Sequence, residues 1–343
     1  MRLRRSRSTI VLSLTSLLAA ALVGVGLLVP AAAASGVASQ QFQATDSDQV
    51  AVHRVDASAR QDAQASWSEQ RMRSATPMHR LLDRTTALAS PASTVKRGLP
   101  ALIQPTRQAV SDLIPLALPE TGGAWSGGGA VTKTAGRVFF NFNGADASCS
   151  GDAVTSGNRS VVITAGHCVK YEGTWHTSWV FVPGYDDGDR PHGTWTANTT
   201  LTTSQWEASE DLSYDVGAAV VDPLNGRRLT DAVGGQGIAF NQDRGQTMYS
   251  FGYPAADPYD GESLIYCSGT TFDDPLFSTD HGLNCDMTGG SSGGPWFLQF
   301  DEASGAGVQN SVNSFGYVFL PDVMFGPYFG SEAQALYNAA AAR

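Results

Sequence analysis

Gly289-Gly290-Ser291-Ser292-Gly293-Gly294-Pro295-Trp296 is the stretch on which the reading of this chain turns. A serine set among glycines, just ahead of an aromatic strand-like run from Trp296 to Phe300, belongs on a tight turn. Glycine tolerates positive φ and close backbone approach, so such a turn can converge N–H groups on one point. A serine hydroxyl is a poor nucleophile at neutral pH and needs an adjacent base. Two segments upstream supply the missing partners. Ile163-Thr164-Ala165-Gly166-His167-Cys168 places a histidine just past an apolar run, and an imidazole takes and returns protons near neutrality. Asp211-Leu212-Ser213-Tyr214-Asp215-Val216 places an acid at the head of a small, apolar run to Val221. A carboxylate there can fix the imidazole tautomer and stabilise the imidazolium. Ser292 is preferred to Ser291 because it alone directly precedes Gly-Gly-Pro, and Asp215 to Asp211 because it leads into the strand-like run.

Outward from these motifs, residues 131 onward read as short β-type runs divided by Gly, Asp, Asn and Pro. They include Val138 to Phe142, Val161 to Thr164, Trp179 to Val182, Val216 to Val221, Thr247 to Phe251 and Val312 to Phe319. This texture predicts an all-β fold of antiparallel barrels or a sandwich. Ser331 with Gln334 forms a capping box, which predicts a C-terminal helix.

The first 34 residues have a different character. A basic head to Arg7, an apolar run from Ile10 to Val29 and Ala32-Ala33-Ala34 predict a secretory signal peptide and an extracellular protein. Export implies an oxidising environment, so Cys149, Cys168, Cys267 and Cys285 should pair. Three connectivities are open, and sequential pairing is the simplest. Residues 35–121 hold no cysteine and read as a pro-region or linker. Gln61 to Ala89 suggests one or two amphipathic helices with Met78, Leu81, Leu82 and Leu88 on a stripe, and Gly-rich residues 122–129 read as flexible. The formal charge of −10 divides unevenly: residues 1–120 carry 13 Lys/Arg and 8 Asp/Glu, the remainder 9 and 24. So acidic a C-terminal part argues against a nucleic-acid partner, and beyond the leader no apolar run reaches membrane length.

With these motifs assembled, residues from about 131 to 343 resemble the trypsin-like serine peptidases of the chymotrypsin fold. Thr164 to Cys168 is similar to that family's base motif and Gly290 to Pro295 to its nucleophile motif. The resemblance implies a peptidase domain over 122–343: two six-stranded antiparallel β-barrels, about 131–230 and 231–343, and a C-terminal helix. It implies His167 as general acid/base, Asp215 as its orienting partner, Ser292 as nucleophile, and an oxyanion hole from the N–H groups of Gly290 and Ser292. It also implies a Cys149–Cys168 disulfide beside the histidine. Protein or peptide would be the substrate, and neither cofactor nor metal would be needed, although the acidic turns Asp186-Asp187-Gly188-Asp189 and Asp257 to Glu262 have the oxygen-rich character that suits calcium. Ser291 stands where vertebrate-type members carry an aspartate, and Thr288 to Ser292 is closer to bacterial members, including glutamyl endopeptidases. Such relatives make residues 35 to about 120 a pro-region that assists folding or blocks the cleft, with Arg97, Arg107 and Glu120 as candidate cleavage points.

For substrate preference, Asp286 and the wall Ser314-Phe315-Gly316 favour a basic P1 residue. Asn313 stands where glutamyl members carry a pocket histidine. An acidic P1 stays open through His281 or a new N-terminal amine. The alternative is a non-catalytic binding or adhesion protein that reuses the fold.

Overall fold

The computed structural model describes residues 49–81, 94–106 and 119–343, all within one unit spanning Ala44–Arg343. The expected signal peptide lies outside the described residues, as do Leu82, Leu88 and Arg107. Among the described residues no helix is long and apolar enough to cross a membrane.

Strand β1 (Ala135–Phe142) turns into β2 (Ala145–Val154) through Asn143-Gly144, both at positive φ. A two-residue turn of that kind matches the right-handed twist of a hairpin. β3 (Val161–Thr164), β4 (Thr177–Pro183), β5 (Trp195–Thr203) and β6 (Gly217–Val221) complete a closed antiparallel ring in the order β5-β4-β1-β2-β3-β6 and back to β5. Val138, Phe140, Val162, Phe181, Leu201 and Ala218 fill its interior.

The second half holds β7 (Thr247–Gly252), β8 (Ile265–Thr270), β9 (His281–Asn284), β10 (Pro295–Asp301), β11 (Ala306–Val312) and β12 (Val323–Gly326), with the short strand Gly237–Phe240 pairing in parallel with β11. The ladder β11-β10-β7-β8 is continuous, whereas β9 and β12 pair in a separate sheet. A Phe315–Phe325 bridge joins the two sheets on one side, and Cys267–Cys285 ties β8 to the end of β9 on the other. The second half is therefore two sheets linked by this bridge and the disulfide, where one unbroken ladder was expected. The run predicted to continue as strand to Phe319 leaves the sheet after Val312.

Helix α1 (Ser331–Ala341) buries Leu336 and Ala340 in the core of the first barrel. Its N-cap is Gly330, not Ser331, and Gln334 Oε1 instead accepts from Asn241 Nδ2 at 3.0 Å. The expected capping box is absent because its glutamine is engaged elsewhere.

Residues 49–81 form structure on the first barrel rather than a loose linker. Val50–Arg54 adds antiparallel to β5 beyond the point where β4 leaves it. Helices cover Ala57–Ser66 and Glu69–Ser74, earlier than predicted. Ser68 caps the second by accepting the Arg71 N–H, and extended Thr76 and Pro77 end the helical run. Met78 is buried, but on a short 3₁₀ turn, so among the described residues Met78 and Leu81 do not lie on a helical stripe. The Gly-rich segment 122–129 expected to be flexible begins inside strand Glu120–Ala124, which pairs with β8, and contains Trp125, which sits edge-on to Phe251, Tyr266 and Phe300.

Candidate active site

The serine turn hangs between the two halves. Gly290 (φ +101°) and Gly293 (φ +80°) need glycine, since a Cβ at 293 would stand 2.1 Å from Thr164 Oγ1. Strand β2 grips the turn from the other half of the molecule. The Ser150 N–H donates to Ser292 O at 2.7 Å, and the Ser150 hydroxyl donates to Gly290 O at 2.9 Å. Within the turn, the Ser291, Gly293 and Gly294 N–H groups donate to Thr288, Asn313 and Ser291 carbonyls. Among the described residues no acceptor is found for the N–H groups of Gly290 and Ser292. Ser292 is buried to 5% exposure at the edge of a cavity of about 570 Å³.

His167 lies on a 3₁₀ turn, Gly166–Cys168, directly after β3, and Cys149–Cys168 ties that turn to β2. Asp215 ends another such turn, Leu212–Tyr214, just before β6, which is the neighbour of β3. The pairing of these strands brings the two side chains together. Asp215 Oδ2 lies 2.7 Å from His167 Nδ1, and Oδ1 accepts the His167 backbone N–H at 2.8 Å. Asp211, the rejected alternative, caps its turn by accepting the Ser213 N–H. Ser292, His167 and Asp215 all line the cavity. His167 Nε2 and Ser292 Oγ are not hydrogen-bonded in this structure; such contacts are often long without substrate and tighten when it binds.

Asp286, Ser314, Phe315 and Gly316 also line this cavity, with Met287, Val323 and Met324. Asp286 is partly covered: its Oδ1 accepts from the Tyr259 hydroxyl at 2.6 Å, its N–H donates to Thr121 O, and Gly122 packs flat against the carboxylate. Burial, with that contact second, pushes the Tyr259 hydroxyl up. Asn313 is not brought to the cavity. It is fully buried, with Oδ1 accepting from Ser250 and Trp296 and Nδ2 donating to Phe251 O and Ser291 O. An amide so engaged has nothing left for a ligand. His281 is likewise buried away from the cavity, beside Tyr328, and burial pushes its imidazole down to about 3.

Three features were not expected. The Ser314 hydroxyl, read from sequence only as pocket wall, donates to Asp215 Oδ2 at 2.5 Å. Trp206 tilts against His167 with ring centroids 6.3 Å apart. Thr76-Pro77 pairs in parallel with Ala147-Ser148 of β2, Met78 enters the core, and His79 lines the cavity with its ring in the space a side chain at Gly289 would take. None carries a local signal, because each depends on residues far apart in the chain meeting in space.

Cys149, His167 and Cys168 form the one group among the described residues with metal-ligand spacing. Both sulfurs are in the disulfide and offer no thiolate. At the acidic turns, Arg73 Nη1 lies 2.8 Å from Asp187 Oδ1 and 2.9 Å from Glu262 Oε2.

Two β-barrel halves with a serine turn and a histidine–aspartate pair at their junction define a class, the chymotrypsin-fold serine proteases. Comparison with known proteins gives the branch. The structure is similar to the crystal structure of protease Anisep from Arthrobacter nicotinovorans, at 44% identity and TM-score 0.60, covering 65% of this chain and 100% of that one. It is similar to thermostable serine protease AL20 from an extremophilic microorganism, at 46% identity and TM-score 0.59, covering 62% and 99%. A Glu endopeptidase, at 20% identity and TM-score 0.52, covering 65% and 98%, shares the fold. In sequence alone, 71 residues are 34% identical to an extracellular metalloprotease of Bacillus subtilis, over 20% of this chain and 22% of that protein. No family model matches the chain. The chain belongs to the trypsin-like serine peptidases of the chymotrypsin fold, in their bacterial branch.

Proposed function

We propose that this chain is a secreted serine endopeptidase made as a precursor, in which Ser292 attacks the scissile carbonyl and His167 takes its proton. The observation that carries the reading is the buried His167–Asp215 pair opening onto the same cavity as Ser292. Asp215 holds Nδ1 protonated, which leaves Nε2 as the base. The unengaged N–H groups of Gly290 and Ser292 are suited to receive the oxyanion. His167 then protonates the leaving amine, and a water deprotonated by the same imidazole releases the acyl group from Ser292. Replacing Ser292 with Ala tests this: turnover of peptides and labelling by a serine-directed phosphonate should both vanish. Full activity in that variant refutes the assignment. Tight protein binding without turnover in the processed wild type would favour the non-catalytic alternative.

The domain boundary we propose is near residue 121. The span shared with Anisep, 65% of 343 residues, equals in length the stretch from there to the C-terminus. Residues upstream would then be the pro-region, and its contacts support a cleft-blocking role. His79 sits on the serine turn, while Arg60, Arg71 and Arg73 ion-pair with Asp222, Asp146, Asp187 and Glu262. For P1 we favour a basic residue, since the cavity offers apolar flanks in Met287 and Met324 with Asp286 among its walls. Profiling the mature enzyme on a peptide library decides this, and cleavage after Glu would overturn it.

A further inference from the structure

The 3₁₀ turn that presents His167 makes few bonds of its own, with Cys168 N–H to Ala165 O and Val169 N–H to Gly166 O. Carbonyls of this turn and of Lys170 just beyond it are held by buried aromatic side chains. His176 Nε2 lies 2.8 Å from His167 O, Trp179 Nε1 donates to Cys168 O at 3.0 Å, and Trp206 Nε1 donates to Lys170 O at 2.8 Å. Of these three donors, His176 alone bonds the backbone of the residue that carries the imidazole, whereas Trp206 packs against its ring. We propose that His176 is a positioning residue, whose Nε2–H fixes the His167 carbonyl and so aims the His167 ring at Ser292. The proposal rests on the triad reading above and adds a residue to it.

The chemistry of the contact sets the tautomer. A carbonyl oxygen only accepts, so the proton sits on His176 Nε2 and Nδ1 is bare. Nδ1 has no hydrogen-bond partner among the described residues, and the ring is enclosed by Phe140, stacked at 4.2 Å and 3°, and Phe142, edge-on at 5.2 Å. Burial pushes the imidazole down to about 3, opposed only in part by the bond to His167 and reinforced by the nearness of His167 itself. A neutral donor is what this position requires. A second cation behind His167 would oppose the imidazolium that His167 becomes in the transition state. His176 also anchors its own segment, with its backbone N–H donating to Val169 O at 3.0 Å. Turn and donor are thus linked twice.

The test is kcat and KM per active site, titrated with a serine-directed phosphonate so that misfolded protein is not counted. His176→Phe keeps a ring on Phe140 and removes the donor; kcat should fall about tenfold or more, the cost of a buried carbonyl left unpaired. KM should stay within about twofold, because substrate contacts are untouched. His176→Gln places an amide N–H near the former Nε2 and should recover most of the loss, along with the low-field proton resonance of His167 Nδ1–H. If the Phe variant yields no titratable sites, Gln is compared with His176→Asn, whose amide is too short to reach. Wild-type kcat in the Phe variant, or equal loss in Gln and its donor-less or short counterpart, overturns the proposal. Turnover that survives Ser292→Ala would instead refute the triad reading, an outcome His176 variants cannot mimic.

Discussion

Asp215 is the most heavily bonded side chain of the site, a fully buried carboxyl that receives the His167 N–H, the His167 ring and the Ser314 hydroxyl. A carboxylate in such a place is tolerated only when hydrogen bonds replace its water. Ser314→Ala removes one of them, and a hydrogen bond to a charged group is worth about 1.5–3 kcal/mol. If Asp215 must stabilise the imidazolium, kcat/KM should drop roughly 10- to 100-fold. An unchanged kcat/KM would show that Ser314 only fills the pocket. His167, Asp215 and Ser292 were legible in the sequence because each is flagged by its own neighbours, a strand end or a pair of glycines. The Ser314–Asp215 bond spans 99 positions and has no such flag. Asn313 misled for a related reason: motif spacing gives its position, but Trp296 and Ser250 draw its amide inward.

Strand β2 holds both halves of the site, gripping the serine turn through Ser150 and the histidine turn through Cys149. Replacing Cys149 and Cys168 together by Ala opens a loop of about 20 residues and should cost about 3 kcal/mol. For a domain of this size that lowers Tm by roughly 6–12 °C, measurable by calorimetry in the Ser292→Ala background, where autolysis is absent. The same strand receives Thr76-Pro77, and there the sequence was least informative. Residues 35–120 hold 9 Lys/Arg and 8 Asp/Glu, so net charge predicts almost no attraction to the acidic domain. Placement decides instead: Arg71 meets Asp146 through two bonds of 2.7 Å and lies over the Trp67 ring. The Asp146 carboxyl is held below its ordinary value, first by the hydrogen bond from Arg71. Its folded pKa is depressed, so the contact is at full strength above pH 4 and is lost as pH falls through the lowered value. Arg71→Ala should weaken inhibition by the separated pro-segment roughly fivefold, about 1 kcal/mol for a partly exposed pair. The gap between the inhibition constants of the two forms should be full at pH 7 and narrow only below pH 4, as Asp146 takes up its proton. A gap that stays unchanged down to the lowest pH at which the domain remains folded would mean the arginine acts through Trp67 packing instead.

For the whole molecule, the 24 acids and 9 bases beyond residue 120 invite an argument from net charge, yet the pH dependence of the fold is governed by a few buried groups. The barrels that build the site also enclose titratable side chains which the sequence could only present as surface charge. Burial pushes His176 and His281 down to about 3, and pushes Asp152 and Asp280 well above the usual carboxylate range. The signs are opposite. Each histidine is lowered on folding, so its contribution to stability is present above the ordinary histidine value of about 6.5 and is lost as pH falls toward 3. Each acid is raised, so its contribution is present below about pH 4 and is lost as pH rises toward its folded value. Above pH 6.5 both buried histidines are neutral in both states, which removes their part of the pH dependence. From about pH 4 up to its raised folded value, each buried acid holds in the native state a proton that the unfolded chain has lost, so its contribution falls as pH rises. Asp280 separates this cause from general repulsion, since neither of its carboxyl oxygens has a hydrogen-bond partner among the described residues. Asp280→Asn removes the titrating group and changes the net charge by only one. In the Ser292→Ala background, unfolding free energy measured from pH 4 to 8.5 should fall less steeply in Asp280→Asn than in its parent, over the part of the range below the raised folded value. The variant should also gain most, relative to its parent, at the alkaline end. Parallel lines for variant and parent would mean that Asp280 ionises freely in the fold and that net charge governs after all.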